Sequence, residues 1–377
     1  MTTIRAFSTD QERLESFGQQ LNQVYASVRL EMGEDDVERL RKLNRWSRAS
    51  EVAGRALIHL SFEPVGFTSG VLALWLHKQL QATEIGHPVL HGCYDAFLDK
   101  SDPMHSTNYS WDIPIDEEAW DRGHNRSHHP YTNVVGKDCD VHFGPVRLNA
   151  RVPHEPAHYV QVPYTLFVMW PCFALGMNTH FTGLLDITRE KRDFLPDRSW
   201  KSFKGAAKMA LRKALPHYGK EYVFYPALAG PLWWKVALGN WTAGTLRNVY
   251  SAASIFCGHI GPDVADYPEG YKARSRGHWY EMQVRSAQNF EVPYPVSVLC
   301  GGLDYQIEHH LFPKLPPERL RQIAPEVQRI CAEHGVRYTT GSWGAILGGA
   351  FSTLWTLSFP QEALTTQTQP AMTPAAA

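Results

Sequence analysis

The 377-residue chain has no CxxC pair, and its six cysteines stand far apart at Cys93, Cys139, Cys172, Cys257, Cys300 and Cys331. That spacing indicates neither a thiolate zinc site nor a disulfide framework, and it fits a reducing, intracellular setting. An excess of charge is lacking too. Lys and Arg total 37 against 38 for Asp and Glu, so no basic field invites nucleic acid and no acidic tail is present. The first 45 residues are charged and amphipathic, which is not the pattern of a cleaved leader. Mean hydropathy is mildly negative at −0.33, the value of a soluble protein, but the average conceals very uneven segments.

Three apolar blocks carry that unevenness. The first, from Gly54 to Leu80, is divided by Pro64 and Gly66 and predicts a hairpin of short helices. The second, 160–187, is long enough for a bilayer, which needs roughly 20 apolar residues. The third, 222–260, contains Pro226, Pro231 and Gly239 and predicts one tilted span or two short ones. Aromatics at the block edges, such as Trp233 and Trp234, favour a membrane interface over a buried soluble core. Residues 1–48 predict polar N-terminal helices, 49–340 a membrane domain, and 341–377 a C-terminal segment whose tail after Pro360 is disordered. The basic stretch after residue 187 should face the cytoplasm. If the histidine-rich segments on both sides of block 160–187 do so as well, that block is not one simple crossing: either it doubles back or the charge rule fails there.

What the chain has in plenty is histidine: 18 residues, and they are clustered. His87 and His91 stand in EIGHPVLHG, His124, His128 and His129 in HNRSHHPYTN, and His309 and His310 in DYQIEHHLFP. One adjacent pair is expected by chance, whereas an HxxxHH string arises about once in some 25 such chains. On a helix, residues four apart share a face, so His87 with His91, and His124 with His128, can reach toward one point. His129 and His310 lie about 100° round from their neighbours, so each pair can serve two positions. Pro88 either kinks the helix or opens a fresh turn with His87 as its cap. Imidazole suits zinc, copper, iron and nickel alike. Seven or eight histidines exceed the three or four protein ligands that one zinc ion takes, which implies two metals. The outer N–H groups of such ligands need acceptors, and Asp95, Asp121, Asp138, Asp140, Asp304 and Glu308 are near in sequence. His154 and His158 are also four apart, but Pro153 and Pro156 argue against a helical face there.

HNRSHHPYTNVVGKDCD followed far downstream by GGLDYQIEHHLFPKLPP resembles the membrane fatty acid desaturase family over roughly residues 50 to 340. It is most similar to the branch whose last box opens with Gln, here Gln306, which includes front-end (linoleoyl-CoA-type) desaturases. The resemblance implies an all-α membrane helical bundle of about four spans or half-spans, with a cytoplasmic helical cap carrying a di-iron site. Its ligands would be the three boxes plus a further histidine upstream of the last one, best matched by His259. Gln306 joins Asp95, Asp138, Asp140 and Glu308 as candidate supports around them. Family members often place Asn one turn before that further histidine; here the position is Ile255, with Asn248 farther back on a similar face. The implied reaction uses dioxygen and two external electrons to introduce a double bond into an acyl chain carried on coenzyme A, a carrier protein or a lipid. Proton abstraction by a side chain tuned near neutrality is too weak for an unactivated methylene, so the oxidising power belongs to the metal. No HPGG string is present, so a fused cytochrome b5 domain is not expected. Ferredoxin, rubredoxin or cytochrome b5 with its reductase would then supply electrons.

The nearest alternative is a lipid or alkyl hydroxylase on the same scaffold. A non-enzymatic metal-binding or transport protein would string ionisable residues along the spans rather than at their ends. A soluble zinc hydrolase would have no use for so many ligands.

Overall fold

The computed structural model describes residues 5, 7–143, 145–188 and 192–361, with the backbone alone for His142. Thr9 starts α1 (Asp10–Glu31) as its cap, its hydroxyl accepting from Glu12 N at 3.1 Å. The next helix, α2 (Glu34–Leu60), runs unbroken through residue 48, so the boundary expected there falls inside one element. Glu63 then accepts from Val65 N and Gly66 N, and Pro64 takes the first position of α3 (Pro64–Leu80), where a missing N–H costs nothing. Together α2 and α3 form the expected hairpin, longer on its first arm. They approach closely because glycines face each other. A Cβ on Gly54 would lie 2.6 Å from Leu74 N, and one on Gly70 2.8 Å from Ile58 N.

The second apolar block is the one that turns. Residues Pro156–Met169 and α4 (Phe173–Phe181) meet at 110°, so the block doubles back. Among the described residues no single helix is long and apolar enough to cross a membrane; this bent pair passes jointly, by length and composition. After α5 (Trp200–Gly219) the third block resolves into a short N-terminal part and one helix, α6 (Trp233–His259). At 27 residues it is about 40 Å long. It packs along α2 and α3, its Val236 and Ala243 sharing a cluster with Ile58 of α2 and Val71 and Leu74 of α3. The polar remainder supplies α7 (Arg276–Arg285), α8 (Gln306–Leu311) and α9 (Pro317–Glu333), which share a core with α1 through Phe17, Leu21, Tyr280, Ile307 and Leu320. The last helix, α10 (Trp343–Leu357), packs on α6, so residues 343–357 are integral to the fold. The disorder expected in the tail falls from residue 362 onward, outside the described residues. Extended structure includes a two-residue antiparallel pair, His142–Phe143 with Val146–Arg147.

Four wide, π-helical turns interrupt the helices: Gln81–Gly86, Asp121–His128, Thr165–Met169 and Lys220–Phe224. Each is followed two residues later by proline, at Pro88, Pro130, Pro171 and Pro226. A proline cannot donate to the preceding turn, and its ring collides with the carbonyl four residues back. Widening that turn relieves both problems. Proline alone does not dictate the outcome, since Pro216 and Pro325 sit inside α-helical turns. At Pro88 the chain therefore neither kinks open nor starts a capped helix at His87; the helical path continues through a wide turn.

Candidate metal centre

Four segments aim histidines at one chamber. His87 and His91 come from the turn that prolongs α3, while His124, His128 and His129 come from Asp121–Tyr131. His259 is the last residue of α6, and His309 and His310 lie on α8. Their donor atoms fall into two groups, His87 with His91, His124 and His309, and His128 with His259 and His310, each mutually within 4.8 Å. His129 lies between them. Its Nε2 is 3.1 Å from that of His124, and its ring stacks on His310 at 4.4 Å between centroids.

The wide turn changes the geometry expected for the second box. With more than four residues per turn, positions five apart come onto one face. His124 meets His129 directly, and His128 turns its Nε2 to His259 at 3.3 Å. Donor atoms of His124 and His128 still fall in one 4.8 Å group, with Asp140. In the first box, a regular α-turn brings His87 and His91 to 3.1 Å, as four-residue spacing predicts.

The residues present fit metal ions. Besides these contacts, Nε2 atoms face each other at 3.3 Å for His87 and His124, and at 3.1 Å for His259 and His310. Bonds of about 2.1 Å to a common ion place neighbouring imidazole nitrogens roughly 3.0–3.4 Å apart. His309 Nε2 is buried with no hydrogen-bond partner. Burial pushes His124, His129, His309 and His310 well below the ordinary imidazole range, into the neutral form that binds metals. His128 goes the other way. Burial lowers it, but the neighbouring charges of Asp138 and Asp140 outweigh that and raise it to about 9.

Asp138 explains His128. Both of its oxygens lie 3.1 Å from His128 Nδ1, and they are themselves held by Asn133 N at 2.7 Å and Asp140 N at 2.9 Å. A proton fixed on Nδ1 leaves Nε2 free to face the chamber. Asp140 stands 3.7 Å from the same Nδ1 and 3.4 Å from His180 Nε2. Gln306 places its amide nitrogen 2.7 Å from His259 Nε2, and its Oε1 is buried without a partner.

Two expected supports lie elsewhere. Asp95 accepts from Ser106 N and Oγ at 2.9 and 2.6 Å, because the chain reverses after the first box and turns this carboxylate toward its own loop. Glu308 occupies the far side of α8, where Asn289 Nδ2 and the Tyr338 hydroxyl donate to it at 2.8 and 3.0 Å. It anchors the helix that carries His309 and His310 rather than either ring. Asp121 accepts from Asn125, and Asp304 from Ser297. The support for His310 came without a sequence signal: its Nδ1 lies 2.9 Å from Thr132 Oγ1 and 3.2 Å from Gln283 Oε1. His180, fully buried on α4 beside Asp140, was equally invisible.

The chamber opens on a cavity with about 1150 Å³ of empty space, part of it open to the outside. His87, His124, His128 and His259 line one region of it, and Trp111, Ile113, Phe143, Phe173, Met177 and Phe256 supply apolar walls. Ile255 also lines it, and Asn248 is engaged with the Pro171 carbonyl at 2.6 Å. Chemically this is a largely apolar cavity bordered by imidazoles able to hold metal ions, a shape that suits an alkyl chain.

Comparison with known proteins agrees. The family described as fatty acid desaturase matches residues 63–342. The chain is 31% identical over 361 residues to the NADPH-dependent stearoyl-CoA 9-desaturase of Mycobacterium tuberculosis, covering 93% of this chain and 81% of that protein. It is 24% identical over 284 residues to the sn-1 linoleoyl-lipid 6-desaturase of a Synechocystis strain, covering 74% and 77%. It is 25% identical over 293 residues to Delta(8)-fatty-acid desaturase 1 of Arabidopsis thaliana, covering 72% and 58%.

Proposed function

The chain belongs to the fatty acid desaturase family, and from that membership we propose that its histidine chamber is a di-iron centre that desaturates an acyl chain lying in the adjoining cavity. The protein is a fatty acyl desaturase, an oxidoreductase. The observation that carries the di-iron reading is the convergence of eight imidazoles from four segments, seven of them in two donor groups with His129 between, at the inner face of an apolar cavity.

His87, His91, His124, His128, His129, His259, His309 and His310 would hold the irons. When bound, iron supplies the dioxygen-dependent oxidising power that an unactivated methylene requires. In the overall balance two hydrogens leave adjacent carbons, and dioxygen with two electrons and two protons ends as two waters. The chain's own residues do the rest. Asp138 keeps the His128 proton on Nδ1, Thr132 and Gln283 orient His310, and the cavity walls align the acyl chain and exclude water. Electrons would come from an external donor: ferredoxin, rubredoxin or cytochrome b5 with its reductase. That the Mycobacterium tuberculosis relative is named NADPH-dependent supports a reductase in the chain of supply. Gln306 at the head of the last box supports a place in the branch that includes front-end desaturases.

A membrane setting belongs to the same proposal. Leu60, Phe62, Val65, Val223 and Leu228 are largely exposed near the start of α6, at the opposite end of that helix from His259. Lys235 ties that end to the α2–α3 turn through the carbonyls of His59 and Ser61. An apolar pole of this kind suits lipid, with the metal chamber toward the cytoplasmic side.

The test is metal content and product. Purified protein should carry about two irons per chain, and products should weigh two hydrogens less than substrate. His128→Ala and His310→Ala should each abolish product formation. One zinc without iron, or near-full activity in either variant, would overturn the reading.

A further inference from the structure

All eight imidazoles are buried or half-buried, so a protein that delivers electrons must reach them through something at the surface. The start of α7 supplies it. Ser275 caps that helix, its hydroxyl accepting from His278 N at 3.2 Å, and Gly277 packs against the Leu14 carbonyl of α1 with no room for a side chain. The contact fixes how α7 lies, and Arg276 and Trp279, three apart on its first turn, share a face. Trp279 Nε1 donates to the Pro130 carbonyl at 3.1 Å, and Pro130 directly follows His129. The indole is half-buried. One hydrogen bond and a single stretch of backbone therefore join the surface to His129, the imidazole between the two donor groups. The rim around the indole is cationic and aromatic. Exposed Arg276 holds its guanidinium 4.2 Å over the Trp279 ring, and exposed Lys137 places Nζ 5.7 Å over Tyr131, itself 41% exposed. Among the described residues neither cation pairs with a carboxylate, whereas neighbouring Arg274 is tied to Asp10 at 3.2 Å. The formal net charge of the whole chain is −1, so this positive rim is a local feature.

Resting on the external-donor reading above, we infer that this rim docks an acidic one-electron carrier protein and that Trp279 is the point where its electron enters. Exposed cations without a partner attract surface carboxylates and steer their approach, and Arg, Tyr and Trp are the side chains that recur at contact surfaces. Two small cation–aromatic pairs make a small, charge-steered contact, which suits a partner that must leave after each delivery. Two carriers dock in turn, and each is oxidised by one electron. Those two electrons, two protons from solvent and the two hydrogens lost by the substrate reduce one dioxygen to two waters.

The experiment titrates purified, iron-loaded protein in detergent with a plant-type two-iron ferredoxin, an acidic carrier, and reads Kd and the rate of electron transfer. Wild-type binding should weaken as salt rises. Combining Lys137→Glu with Arg276→Glu should weaken it at least about tenfold at low salt, two reversed surface charges at roughly threefold each. Lys42→Glu, an exposed position on α2, should change nothing. Trp279→Phe keeps a ring and removes the N–H. It should bind ferredoxin and accept electrons from dithionite as the wild type does, yet lose most of the transfer rate from ferredoxin. No binding by the wild type, equal binding by the double variant, or a full rate in Trp279→Phe overturns the inference. A raised KM for stearoyl-CoA in the double variant with dithionite as reductant, ferredoxin binding unchanged, would assign the rim to coenzyme A and overturn it as well. If dithionite cannot reduce the wild-type iron, the di-iron reading itself fails; if dithionite reduces it and ferredoxin does not bind, that reading stands and only the docking surface is lost.

Discussion

An imidazole offers a metal one nitrogen, and what the other nitrogen does decides where the first one points. His128 shows the effect most clearly, because Asp138 is 2% exposed and touches Nδ1 with both oxygens. Asp138→Asn keeps the shape and removes the charge. Iron affinity should fall about 10- to 100-fold, read as the iron-to-protein ratio across a chelator series, with little change in folding. Unchanged affinity would mean that His128 is oriented by packing alone. Sequence spacing identified the histidines and named Asp138 and Asp140 among their neighbours, because these lie within twelve residues of the box. It could not sort them from Asp95, which is equally near its own box but faces Ser106. Nor could it find Gln283, which reaches His310 only because α7 packs against α8.

At the scale of elements, the second box depends on a wide turn. Four-residue spacing implied an ordinary helix; the actual π-turn brings His124 to His129 as well, while the donors of His124 and His128 stay within 4.8 Å. The cause was in the chain all along: His129 is followed by Pro130, as His87 is by Pro88. Pro130→Ala removes the steric reason for widening. If an α-turn then reforms, residues five apart diverge by roughly 140°, and iron affinity should drop at least about tenfold. Equal metal content in Pro130→Ala and wild type would show that tertiary contacts hold the turn without the proline. The same reasoning covers the block 160–187, whose length suggested a crossing. Pro171 lies at the bend between its two arms, and the 110° turn there is what sends the chain back.

At the scale of the whole molecule, the long α6 separates two environments, with His259 at one end and exposed Trp233 and Trp234 at the other. A chain seated in lipid by that apolar pole should remain in the membrane fraction after an alkaline carbonate wash and leave it only with detergent. Release by carbonate alone would count against the membrane setting. The amino-acid order by itself determined the chemistry: imidazoles in three boxes, too many for one ion, on helical segments separated by apolar blocks. Those features are local, set by residue type and by spacing along one turn. Only the tertiary structure decided which imidazole meets which, and that a buried arginine lines the cavity. Most such outcomes depend on contacts between different segments, 37 positions apart for His87 and His124 and 131 for His128 and His259, and no periodicity within a single segment encodes them.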